Sequence, residues 1–117
     1  MTIPYTGETE PRFPMPARTE MPLRVAVRSL DLVAAIRYED EFHAAWQEAV
    51  QTDSTIPLHT FLYRWAVFVE LRRYPARAAR LAELERTMAR AEDAAGAREA
   101  ASEIAALLDE AVWEITS

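Results

Sequence analysis

Residues 58–73 constrain the fold more than any other segment, because apolar side chains occupy most sides of the helix that they predict. Only a narrow strip with His59, Arg64 and Glu70 is expected to face solvent. A helix of this kind needs neighbouring helices around it, so we expect it at the centre of a bundle. Its charged residues exclude a membrane span, which needs roughly 20 mostly apolar residues. The two apolar faces contain Leu58, Phe61, Leu62, Trp65, Phe68, Val69 and Leu71, and Tyr63, Val67 and Tyr74.

The N-terminal segment, residues 1–22, contains five of the seven prolines. Proline lacks a backbone N–H donor and restricts the residue before it, so this segment is predicted to be an extended arm. Two interpretations stay open. The arm is a poorly ordered terminus, or it docks on a groove of this domain or of a partner, as proline-rich segments can. The docking side chains would be Ile3, Tyr5, Phe13 and Met15.

Residues 23–117 are predicted to form one helical domain, because apolar residues recur there at spacings of three and four. The expected helices lie near 23–36, 38–51, 58–73, 76–95 and 97–116. The fold class is therefore all-α: a small bundle of four to five helices with an extended proline-rich N-terminal arm. The expected apolar stripe of the second helix consists of Phe42, Ala45, Trp46, Ala49 and Val50.

The last two apolar stripes do not share one helix face. On a straight helix they would lie about 150° apart, at about 100° per residue. Gly96 lies at the change of phase, where a left-handed cap would cost little. A helical hairpin is favoured, and one long helix that contacts different partners is the alternative.

Composition removes most catalytic chemistry. Cysteine is absent and glycine occurs only twice, so thiolate sites and phosphate-cradling loops are excluded. The two histidines, His43 and His59, have no second ligand set for a metal. No catalytic, cofactor-binding or metal-binding residue is predicted, and the chain is not expected to be an enzyme. With no visible signal peptide or membrane span, a cytoplasmic location is expected.

Charge is distributed unevenly along the chain, which has a formal net charge of −6 at pH 7. Arg73, Arg77 and Arg80 would share a helix face, where they could bind phosphate. The last helix is acidic. In a hairpin these basic and acidic faces could instead pair with each other, and the net charge makes nucleic acid an unlikely partner.

Trp113 is the strongest candidate for a partner-binding residue, because it falls opposite the apolar stripe of the last helix. Glu110 and Glu114 flank it and would attract a basic partner protein. Tyr5 and Phe13 of the arm complete the predicted partner-binding set. The alternative is a structural role, in which Trp113 covers the edge of the core.

The central part of the chain resembles a family of small helical proteins of unknown function from high-GC Gram-positive bacteria. Residues 38–50, YEDEFHAAWQEAV, and residues 56–65, IPLHTFLYRW, carry the resemblance, followed by YPARAAR at 74–80. It covers about residues 24–82. The family's usual Pro-Glu-Asp helix start is replaced here by residues 38–40, YED. Some members accompany small toxin genes, so the resemblance implies an antitoxin-like role.

The sequence therefore predicts a non-enzymatic protein-interaction or regulatory module, antitoxin-like or self-associating. A small DNA-binding regulator that uses the arginine-bearing helix is the alternative. A third reading, a ligand-binding bundle, requires a cavity beneath Trp46, Phe61 and Trp65.

Overall fold

The computed structural model describes residues 10–116, and the described chain is all-α, as predicted. The described residues divide into two compact units. One contains residues 15–69 and the other contains residues 10–14 and 70–116. The five helices of the described chain are α1 (Glu20–Leu30), α2 (Leu32–Thr52), α3 (Ile56–Arg72), α4 (Pro75–Arg90) and α5 (Ala94–Thr116).

The boundary between the two units falls within α3, between Val69 and Glu70. Most of α3 belongs to the unit that holds α1 and α2, while its last turn belongs to the unit that holds α4 and α5. The single helical domain over residues 23–117 stays a prediction.

Helix α1 begins at Glu20, so the predicted arm is shorter than residues 1–22. Pro22 lies in the first turn of α1. A proline is tolerated there, because the first backbone N–H groups of a helix have no partner within the helix. The described part of the arm, residues 10–19, is not helical. Near its start, the backbone N–H of Arg12 donates to the carbonyl of Arg73 at 2.6 Å.

The break between α1 and α2 lies at Asp31, not near residue 37. The Asp31 carboxylate accepts hydrogen bonds from the backbone N–H groups of Val33 and Ala34, at 2.9 and 3.1 Å. An aspartate at this position satisfies amides that the new helix leaves unpaired. The apolar periodicity continues across Asp31, so it did not predict this cap. Tyr38, expected at a helix start, lies inside α2.

The unit of residues 15–69 is built around an aromatic cluster. The Tyr38 ring packs edge-on against Phe61 and Trp65, with centroids 4.9 and 5.2 Å apart. The Tyr38 hydroxyl donates to the Glu20 carbonyl at 2.7 Å. Burial raises the pKa of Tyr38 to about 12. Arg24 joins α1 to α2 through a two-point contact with Glu39, at 2.6 and 3.1 Å.

In the other unit, α4 and α5 form the favoured helical hairpin, so residues 76–116 are two helices. Leu81, Leu84, Ala100 and Ala111 are buried there. Gly96 is not a left-handed cap of α4, because it lies in the first turn of α5 and has no positive φ. Its backbone N–H instead donates to the side chain of Asp93, at 2.7 Å.

Candidate interaction surfaces

Glu70 is the centre of a buried charge cluster that the sequence analysis placed in solvent. It is 1% exposed. Its carboxylate accepts from Arg73 Nε at 2.8 Å and from Arg77 Nη2 at 2.6 Å. The other terminal nitrogen of Arg77, Nη1, contacts Glu110 and Glu114 of α5, at 3.2 and 3.1 Å. We refer to these five residues as the Glu70 network.

The tyrosine between the two arginines completes this arrangement. The guanidinium carbons of Arg73 and Arg77 each lie 4.6 Å from the centre of the Tyr74 ring. Such cation–π contacts are strongest where water is excluded. Helix α3 ends at Arg72, and α4 begins at Pro75 with Tyr74 as its N-cap. Proline suits the first position of a helix. The local turn therefore places Tyr74 against both cations.

Two of the three carboxyl groups that contact Arg77, those of Glu70 and Glu114, have pKa values that shift in opposite directions. Burial opposes ionisation of Glu70, but hydrogen bonds with Glu114, Arg77 and Arg73 outweigh it and lower its pKa. Glu114 behaves in the opposite way. Its hydrogen bond with Glu70 and its partial burial raise its pKa, against the attraction of Arg77. As pH falls, Glu114 is therefore the first of the two to bind a proton.

The three arginines predicted to bind phosphate all contact carboxylates of the same chain. Arg73 and Arg77 belong to the Glu70 network. Arg80 contacts Glu103 of α5 at 2.7 Å and also pairs with Glu83. The basic and acidic segments thus pair internally, which was the alternative to phosphate binding. A phosphate would have to displace these carboxylates.

The predicted partner-binding residues occupy different surroundings. Trp113 lies near the end of α5 and is 70% exposed, so it does not cover the core. Glu110 and Glu114 are on the same helix, but both contact Arg77. The carbonyl of Phe13 accepts a hydrogen bond from Arg73 Nη1, at 3.1 Å. Tyr5 lies outside the described residues.

Helix α2 carries an exposed apolar surface that the sequence analysis assigned to the core. Trp46 is 54% exposed and Val50 is 64% exposed, whereas Phe42 and Ala45 of the same predicted stripe are half-buried. Leu32 and Ile36, near the start of α2, are also exposed. The buried residues of α2 are Ala34 and Tyr38. The sequence signal that could have predicted this exposed face is a second series of apolar residues at spacings of three and four.

An open cleft of about 340 Å³ lies between α2 and α3. Phe61 lines it, together with Glu41 and Arg64, which contact each other at 3.3 Å. Trp46 and Trp65 do not line it. The reading as a ligand-binding bundle required a cavity beneath all three aromatic residues. The rings of Phe61 and Trp65 instead pack against Tyr38.

Within residues 10–116, the part that the structure describes, no helix combines the length and the apolar character needed to cross a bilayer. In the same range, no group of three or more acidic, histidine or cysteine side chains could hold a metal ion.

Comparisons of the chain with protein-family models, with curated proteins and with solved structures return no match.

Proposed function

We propose that this chain is a non-enzymatic protein-interaction module of a regulatory, antitoxin-like kind. The observation that carries the proposal is the exposure of large apolar side chains along α2 and at the end of α5. Contiguous exposed apolar surface commonly marks a site of protein interaction. Tryptophan is enriched among the residues that dominate binding energy. Trp46 and Trp113 are both more than half exposed.

Charge supports a protein partner over a polyanion. The net charge of −6 repels nucleic acid at long range. The DNA-binding alternative depends on Arg73, Arg77 and Arg80, whose guanidinium groups contact carboxylates of the chain. No observation favours it. Anisotropy with mixed duplexes would revive it if binding weakened steeply with salt, as phosphate contacts require.

Co-purification from the native host tests the proposal. The tagged full chain would be crosslinked in cells, and its complexes identified by mass spectrometry. We expect a specific complex, with a second copy or with another protein, that is reduced by Trp46→Ala or Trp113→Ala. Met88→Ala on α4 is the matched control, because Met88 is an exposed apolar residue outside both surfaces. A chain recovered only as an uncomplexed monomer would contradict the proposal.

A further inference from the structure

The exposed apolar surface of α2 follows a heptad spacing. Its positions are 32, 36, 39, 43, 46 and 50, which are separated by four, three, four, three and four residues. At 100° per residue they lie within an arc of about 80° on one side of the helix. This alternation is the spacing by which two helices pack in a coiled coil. We call these positions the α2 seam. Its residues are Leu32, Ile36, Glu39, His43, Trp46 and Val50.

The α2 seam is accessible over its whole length. Its four apolar side chains are all more than half exposed, and the side chain of Glu39 is 43% exposed. His43 is exposed as well. From Leu32 to Val50 the seam runs about 27 Å, at 1.5 Å per residue. The seam therefore offers a helix face of five turns that is exposed except at Glu39, which is half-buried and paired with Arg24 of α1.

The two central positions identify the kind of partner. The seam is apolar at both ends, and Glu39 and His43 occupy its middle. If two copies of α2 pack antiparallel about a two-fold axis, paired residue numbers add up to 82. Leu32 then meets Val50 of the second copy, and Ile36 meets Trp46. In the same register, Glu39 meets His43 of the second copy, and the symmetry forms this pair twice.

A parallel arrangement lacks this complementarity. It would place Glu39 against Glu39 and His43 against His43 in the middle of the seam. Like charges opposed across an interface disfavour association. In the antiparallel register the imidazole can donate to the carboxylate. Glu39 already accepts from Arg24, but a carboxylate has about four acceptor sites and can take another donor.

We propose that α2 is a self-association surface, on which a second copy of this chain packs antiparallel in the register that pairs Glu39 with His43. This inference rests on the proposed function and names the partner at one of its surfaces. A single pair of helices of this length is close to the lower size limit of specific interfaces, about 1,000 Å² of total buried area. The dimer is therefore expected to be weak and in exchange with monomer.

The register also brings two copies of one acidic residue together. Asp40 flanks the seam on the side of Val33, near the two-fold axis. Its carboxylate would approach the Asp40 carboxylate of the second copy. Removing this repulsion by Asp40→Asn should tighten the dimer, whereas Asp109→Asn on α5 should leave it unchanged.

Sedimentation equilibrium of the purified full chain over a concentration series tests self-association. We expect dimer formation that Ile36→Glu weakens by at least about tenfold, because it buries an unpaired charge in the seam. Ile36 is exposed, so the circular dichroism of the variant should match that of the wild type. Met88→Glu is the control for adding a charge at an exposed apolar site. A chain that stays monomeric, or a dimer that Ile36→Glu does not weaken, overturns the inference.

The central pair is tested by reversing one charge. His43→Glu should weaken the dimer by about tenfold, because it places two carboxylates opposite each other at two points. His43→Lys should instead tighten it roughly threefold. His59, the other exposed histidine, provides matched controls in His59→Glu and His59→Lys, which should change nothing. Equal effects at His43 and His59, or no difference between His43→Glu and His43→Lys, would contradict the register.

Single cysteines test the direction, since the natural chain has none. Mixed Leu32→Cys and Val50→Cys variants should form a disulfide between unlike chains under mild oxidation. A parallel dimer would instead link Leu32→Cys to itself, and that result overturns the proposal. Thr87→Cys on α4 measures random oxidation. A monomeric pure chain that still forms a defined complex in its native host would refute the α2 dimer but leave the proposed function intact.

Discussion

Replacement of Glu70 by glutamine tests whether the Glu70 network is buried in solution. Glu70 accepts from two arginines, Arg73 and Arg77, whose side chains are only 11% and 10% exposed. Glutamine has the same shape, but its amide oxygen can serve one arginine while its NH₂ group opposes the other. One guanidinium therefore loses its charged partner in a site from which water is largely excluded.

The expected loss of stability depends on the contacts that the two arginines keep in the variant. Breaking a buried ion pair costs about 3–5 kcal/mol when one charge is left unpaired. Here Arg77 keeps Glu110 and Glu114, and Arg73 keeps the Phe13 carbonyl and the Tyr74 hydroxyl. We therefore expect the lower end, about 3 kcal/mol of unfolding free energy. For about 100 residues this corresponds to a fall of about 10 °C or more in Tm.

Urea and thermal unfolding, followed by circular dichroism at pH 7, measure this loss. Glu83→Gln is the control, because Glu83 makes only an exposed ion pair with Arg80, and its loss should be at most about 1 kcal/mol. A loss below about 1 kcal/mol for Glu70→Gln, the value of an exposed ion pair, would refute a buried network.

The same pair of proteins gives a pH dependence with a defined sign. The pKa of Glu70 is lowered in the folded chain from its ordinary value of 4.5. Its ionised form therefore stabilises the fold above pH 4.5, and this contribution is lost as pH falls through the lowered pKa. The stability difference between wild type and Glu70→Gln should shrink in that acid range. A difference that grows on acidification would contradict the direction of the shift.

Three further outcomes are expected from the same unfolding assays. The folded chain raises the pKa of Glu114 and so favours its neutral form. Glu114→Gln should therefore be at least as stable as wild type at pH 7, and this advantage should disappear below pH 4.5. Clear destabilisation would show that the attraction of Glu114 to cations outweighs its repulsion by Glu70. Asp31→Ala should cost about 1 kcal/mol by removing the N-terminal cap of α2. Thr19→Ala should cost little, because Thr19 makes no side-chain cap bond. Equal losses would refute the assignment of Asp31 as a cap. Tyr38→Phe should cost about 1–2 kcal/mol, because it leaves a carbonyl of α1 without its hydroxyl donor, and a neutral result would show that water replaces that donor.

Local sequence signals located most of the helices but not all of their ends. Periodic apolar residues and strong helix formers predicted four to five helices, and five are present in the described chain. The helix ends that differed from the prediction are those fixed by a capping side chain or by the position of a proline in the first turn. Asp31 interrupts a continuous apolar pattern, and Asp93 caps α5 three residues before Gly96. Pro22 is compatible with a helix only because it falls in the first turn.

The burial of individual side chains was harder to predict from the sequence than the secondary structure. Glu70 lies on the strip of α3 that was expected to be solvated, yet it is almost fully buried. Its burial depends on Arg77, which is seven residues away, and on the hairpin partner α5. A carboxylate can be buried when cations and donors surround it. The charge pattern indicated internal pairing of basic and acidic segments, but not which carboxylate would be the buried one.

By itself, the sequence determined the helical class, the approximate positions of the helices and the absence of thiol chemistry. These properties depend on composition and on spacings within one turn. Only the tertiary structure decided which face of α2 turns inward, with Tyr38 buried and Trp46 exposed. Two apolar series run along this helix, and its own sequence does not say which one its neighbours cover. The rotation of α2 is set by Arg24 and by the aromatic rings of α3, contacts between residues far apart in the chain.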